Sequence, residues 1–88
     1  MTPEQLVQVC TKYESELQKL VGEAKRASPD ISGPDDRTAC GHILWMCEQT
    51  KSYAAQDMEK ACRWLGYIQG VLWMSGLRTI SEMRDDNR

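Results

Sequence analysis

The 88-residue chain has no apolar run long enough to span a bilayer. Its longest uncharged stretch, "WLGYIQGVLWMSGL" at residues 64–77, falls short of the about 20 residues a spanning helix needs. It also contains Gln69 and Ser75, so no membrane partner is expected. A basic excess is missing too. Eleven Lys and Arg stand against thirteen Asp and Glu, for a net charge of -2. Duplex nucleic-acid binders normally show a basic stripe, and membrane-surface binders a polybasic patch, so neither role is expected. The opening "MTPEQLVQVC" lacks a basic segment followed by an apolar one, which sets the expectation of a cytoplasmic protein.

Histidine is nearly absent. His42 is the only one. A Cys–His nucleophilic pair would need it beside a thiolate. Cys40 lies two positions away on a helical pattern and points elsewhere, at about 200° by the helical period. A zinc site wants about four ligands, and Cys40, His42 and Cys47 on one helix cannot converge. The phosphate-loop, nucleophile-elbow and HExxH patterns are all missing. The acidic group Glu82, Asp85 and Asp86 sits at the tail, where no pocket is expected. No enzyme, metal or cofactor is therefore expected.

The four cysteines are Cys10, Cys40, Cys47 and Cys62. None forms a C-x-x-C pair, and all stand among apolar helical residues. Such thiols are commonly buried, whereas a disulfide framework wants a secretory context. Reduced, mostly buried thiols are the expectation.

What the chain does have is helical periodicity, and no strand-like alternation or internal repeat. Thr2-Pro3-Glu4-Gln5 is a helix start with a T-x-x-Q capping box and proline at the first turn. Leu6, Val9, Cys10, Tyr13, Leu17, Leu20, Val21 and Ala24 follow at steps of three and four, with Lys12, Glu16, Lys19 and Glu23 on other faces as a solvated surface. This first helix is expected over about 3–27, stopped by Ser28-Pro29. "SPDISGPDD" at 28–36 reads as a loop. Its aspartates, Asp30, Asp35 and Asp36, lack the alternating ligands and closing glutamate of a calcium loop.

A second helix is expected over about 38–51. Cys40, Ile43, Leu44 and Cys47 share one face, and His42, Trp45 and Gln49 the opposite one. That second face is either additional core or an interface anchored by Trp45. "KSYAAQ" at 51–56 is a weak break, with Ser52 or Asp57 available as a cap. A third helix is expected over about 57–75 with Gly76 closing it. A fourth, over 79–86, starts at the capping box Thr79-x-x-Glu82 with Ile80 and Met83 inward. "RDDNR" reads as a frayed polar end. The fold class is all-α: one domain, residues 1–88, forming a small antiparallel hairpin or bundle of three main helices plus a short C-terminal one. A chain this short buries a limited core, and oligomerisation is a common remedy.

The third helix raises the functional question. Met58, Ala61, Trp64, Leu65, Ile68, Leu72 and Ser75 form its core face. Glu59, Arg63, Gly66, Tyr67, Gly70 and Met74 lie nearly opposite, with Trp73 at the border. Each glycine costs a helix about 1 kcal/mol relative to alanine, so two on one face call for a close approach. The first helix of the same chain, a second subunit and a ligand are the three candidates. The candidate interface is Gly66, Gly70, Tyr67, Met74, Trp73, Trp45, His42 and Gln49. A nucleotide could be held by Arg63, Tyr67, Lys60 and Trp73, because Arg recognises anions and aromatics stack on bases.

His42-Ile43-Leu44-Trp45-Met46-Cys47, Lys60-Ala61-Cys62-Arg63-Trp64-Leu65-Gly66-Tyr67-Ile68-Gln69-Gly70, Leu72-Trp73, Gly76 and Thr79-Ile80-x-Glu82 carry a resemblance. This half of the chain, residues 42–82, is similar to small proteins encoded by tailed phages and prophages. The resemblance implies a phage accessory protein acting inside a bacterial cell, of a kind that often binds and disables a host protein, including defence proteins; the homo-oligomer expected here rests on the two-faced third helix instead. Some such proteins instead sequester a nucleotide signal. It carries over no catalytic residue.

Overall fold

The computed structural model describes the backbone of residues 1–21 and 36–88, and the side chains of residues 1–19 and 41–88. Four helices follow in order: α1 (Pro3–Val21), α2 (Asp36–Ala54), α3 (Met58–Met74) and α4 (Ile80–Asp86). The described residues contain no strand. The expected end of the first helix near Ala27, the loop at 28–36 up to α2, and the placement of Leu20, Ala24 and Cys40 side chains lie outside the described residues.

Local chemistry explains the helix ends. Gln5 N donates to Thr2 Oγ1 at 3.1 Å while Thr2 N donates to Gln5 Oε1 at 2.7 Å. This reciprocal pair satisfies two of the amides that a helix start leaves free. α2 begins at Asp36 and continues to Ala54, past the expected end at 51. The weak break at 51–56 is therefore shorter, and Asp57 caps α3 by accepting from Lys60 N at 3.1 Å. Gly76 adopts φ +76°, where a Cβ would be strained. Around it Leu77 N donates to Leu72 O at 2.8 Å and Gly76 N to Trp73 O at 3.0 Å. That is a Schellman ending, the usual use of glycine just past a helix. Thr79 and Glu82 cap α4 reciprocally.

α2 lies in the middle, against α1 on one side and α3 on the other. The core is Leu6, Val9, Cys10, Tyr13 and Leu17 of α1, Ile43, Leu44, Met46, Cys47 and Ala54 of α2, and Ala61, Leu65, Ile68 and Leu72 of α3. The α1 stripe is the one that the three-and-four spacing marks. Lys51 of α2 pairs with Glu14 of α1 at the edge of this contact.

Two expectations about burial are corrected, at Ser75 and Ile80, while of the described thiols Cys10 and Cys47 are buried and Cys62 is exposed. Its position on α3 falls outside the sector that faces α1 and α2. Ser75 is exposed rather than in the core, because it ends the helix and lies outside the packed turns. Ile80 is 47% exposed, and no residue of α4 is fully buried. The inward side of this helix is given to charge instead of apolar packing.

Candidate functional site

The outer face of α3 is built by its own sequence. At about 100° per residue, Cys62, Gly66 and Gly70 form a strip of small residues. Tyr67 and Met74 flank it on one side and Trp73 on the other. All six are exposed. Tyr67 is 57%, Trp73 48% and Met74 77% accessible. A Cβ built on Gly66 or Gly70 meets nothing within 4 Å. Among the described residues, neither α1 nor any other part of the chain comes against these glycines, so of the three candidates the first helix is not the one seen there. Tyr67, Gly70, Val71, Trp73, Met74 and Ser75 line a shallow, mostly apolar groove. The α3 core stripe points the other way, so this apolar surface has no intramolecular partner among the described residues.

The charged end of the same face is self-contained. Arg63 Nη1 donates to Glu59 Oε1 at 3.2 Å, an exposed pair one helical turn apart. Such pairs contribute little stability, so Arg63 is free to be redirected. Lys60 is placed differently. Its ammonium sits 4.1 Å from the Tyr53 ring centroid and 5.8 Å from that of Trp64. The structure thus splits the four residues considered for a nucleotide. Arg63, Tyr67 and Trp73 share the outer face, while Lys60 is tied to the aromatic residues at the junction of α2 and α3.

Trp45, His42 and Gln49 are half-buried. The His42 and Trp45 rings stack at 5.7 Å, Trp45 meets Trp64 at 6.2 Å, and Trp64 meets Tyr53 edge-on at 5.0 Å. Trp45 therefore packs against α3 as well as being partly accessible. Because α2 is the middle helix, it uses two faces for packing, and the face away from Cys47 is one of them.

A second, polar centre lies where α1, α3 and α4 meet, and the sequence reading missed it. Asp86, with its side chain 3% exposed, accepts from α1 and from the connection between α3 and α4. Lys12 Nζ donates to Oδ1 at 2.9 Å, and Tyr13 OH to Oδ2 at 2.6 Å. Arg78 Nη2 reaches both oxygens at 2.7 Å. Arg78 is itself 7% exposed, lies over the Tyr13 ring at 5.6 Å, and donates through Nη1 to Glu16 and Glu82. Beneath it Gln69 Nε2 donates to the Tyr13 hydroxyl at 3.1 Å. The supposedly frayed tail and the supposedly solvated Lys12 and Glu16 are thus joined in one network. The spacing Arg78-x-x-x-Glu82-x-x-x-Asp86 was the available signal, since steps of four align one cation with two carboxylates along one side of the α4 segment.

The electrostatics follow from this geometry. Burial by itself raises the Asp86 carboxyl, but hydrogen bonds from Tyr13, Arg78 and Lys12 outweigh it and hold the group below its ordinary value. For Tyr13, burial first and the bond to Asp86 second push the phenol up. Burial also pushes the Cys10 thiol up to about 12, with the Glu14 carboxylate adding to it. Cys47 rises for the same first reason. These two thiols are protonated near neutrality and are poor nucleophiles.

Among the described residues, no group of three or more His, Cys, Asp or Glu is placed to hold a metal. No described helix is long and apolar enough to cross a membrane. No known protein family, curated protein or solved structure matches the chain.

Proposed function

We propose that this protein is a non-catalytic binding protein that assembles through the outer face of α3 and acts by capturing and inhibiting a host protein. The observation that carries the reading is the exposure of Tyr67, Trp73 and Met74 around two glycines that nothing in the described chain approaches. Exposed aromatic and methionine side chains on one patch are the composition of interaction surfaces. Helix-interior glycines are costly unless something comes close. A second subunit is the first occupant, and the similarity of residues 42–82 to phage accessory proteins supports a host protein, including a defence protein, as the target.

Sedimentation of the wild type and of a Gly66→Leu/Gly70→Leu variant tests the assembly. Leucines at these positions enter open space within the chain, so a folded protein of lower mass is expected. A monomeric wild type, or an unchanged mass in the variant, overturns the second-subunit reading.

A second reading is favoured by one observation: Arg63, Tyr67 and Trp73 share the face on which the glycines leave the backbone open. A nucleotide signal could be sequestered there, its base stacked on an aromatic ring and its phosphate on Arg63, with a second copy closing the groove. Heating the purified protein with a panel of nucleotides separates the readings. A ligand at a hundred times its dissociation constant stabilises by about 2.7 kcal/mol, whereas a pure protein binder shows no nucleotide-dependent shift.

A further inference from the structure

We infer that Lys12, Tyr13, Gln69 and Arg78 form a receptor for a carboxylate-bearing peptide segment, which α4 occupies as a tethered ligand through Asp86 and Asn87. The receptor belongs to other elements. Lys12 and Tyr13 are on α1 and Gln69 is on α3. Arg78 precedes α4, and its amide is bonded to Leu72 O at 3.3 Å, so it is held by the end of α3. Lys12, Tyr13 and Arg78 aim donors at one carboxylate and fill both its oxygens. Gln69 reads the neighbouring carboxamide: its Nε2 donates to Asn87 Oδ1 at 2.7 Å and its Oε1 accepts from Asn87 Nδ2 at 3.2 Å. The ligand chemistry is therefore a carboxylate beside a carboxamide.

The occupant is exchangeable for physical reasons. α4 has seven residues, and although the Asp86 side chain is buried, no residue of the helix is buried as a whole. An isolated helix that short is not stable in water, so its detachment is favoured by the chain freedom it regains. Its hold is polar, and a polar hold weakens before a competing anion more readily than an apolar one. Glu16 and Glu82 also face Arg78. Glu82 departs with α4, so only Glu16 remains to offset Lys12 and Arg78, and the emptied site keeps an excess of positive charge that favours a carboxylate. One further feature fits a site with capacity to spare. Arg78 Nε is buried without a hydrogen-bond partner among the described residues.

The test uses the full chain carrying Asp86→Ala, with acetate as the replacement carboxylate. Acetate is expected to raise the melting temperature of the variant more than chloride at equal ionic strength, and to leave the wild type no different from its chloride control. A synthetic peptide of residues 79–88 is expected to do the same at lower concentration. Equal responses to acetate and chloride in the variant overturn the receptor. A peptide no more effective than acetate overturns the segment as its ligand. Should Asp86→Ala not fold, Asp86→Asn with amide hydrogen exchange decides the matter. Exchange at residues 80–88 is expected to rise at least about tenfold with the core of α1–α3 unchanged, and unchanged exchange at the tail overturns the proposal.

Discussion

Gln69 and Asn87 exchange two side-chain hydrogen bonds, at 2.7 Å and 3.2 Å, across the joint between α3 and the end of the chain. Gln69 is buried on α3, in the sector otherwise occupied by Leu65, Ile68 and Leu72. A buried amide is costly unless paired. Its partners come from two distant places, Tyr13 and Asn87. Replacing Gln69 by leucine strands the Asn87 amide and removes a donor from the Tyr13 hydroxyl. Urea unfolding should show a loss of about 1 to 3 kcal/mol. Unchanged stability would mean that the pair contributes nothing.

Asp86 sets an acid limit. Its folded carboxyl lies below its ordinary value of 3.8. A depressed carboxyl contributes stability that is fully present above the ordinary value and is lost as pH falls through the folded one. Melting temperature should therefore be insensitive to this group near neutrality and fall in the acid range below about pH 4. Asp86→Asn should remove that part of the decline. Tyr13 acts at the other end. Its phenol is raised, so the stability it contributes is present below its ordinary value of 10 and lost only at more alkaline pH.

The cysteines should divide by accessibility. Cys62 is exposed, whereas Cys10 and Cys47 are buried with raised thiols. Native alkylation followed by peptide mapping should modify Cys62 and spare Cys10 and Cys47 until the protein unfolds. Equal labelling of all three in native protein would contradict the packing of α1 on α2. The same mapping without reductant should find these thiols unpaired.

Trp45→Ala should destabilise by less than the about 3 to 5 kcal/mol expected of a fully buried aromatic. Trp45 is only half-buried, but it contacts His42 and Trp64. A larger loss would show that its accessible side contributes as much to the fold as its packed side. A partner-binding defect beyond the stability loss is the expected sign of its use in an interface.

Gly66→Ala and Gly70→Ala should each stabilise the helix, by up to about 1 kcal/mol. The added methyl groups meet nothing in the described chain. Thermal unfolding at low protein concentration checks this. At concentrations where the protein assembles, the gain should shrink or reverse if another backbone lies on the glycines.

Much of the fold was legible because helix signals are local. The α1 stripe from Leu6 to Leu17, the boxes at Thr2–Gln5 and Thr79–Glu82, and Gly76 at the end of α3 each depend on residues within a turn or two. The outer face of α3 was legible for the same reason: Gly66 and Gly70 must lie opposite Ile68 and Leu72 once that segment is a helix. The polar centre was not. Asp86 looks like any charge near a chain's end until Lys12, Tyr13 and Arg78 surround it, and two of those lie more than seventy positions away. Trp45 likewise reads as an off-core residue until α3 covers that side of α2. Periodicity assigns a side chain to a face, but only the tertiary structure decides which faces meet, and with them whether a charge is solvated or buried with partners.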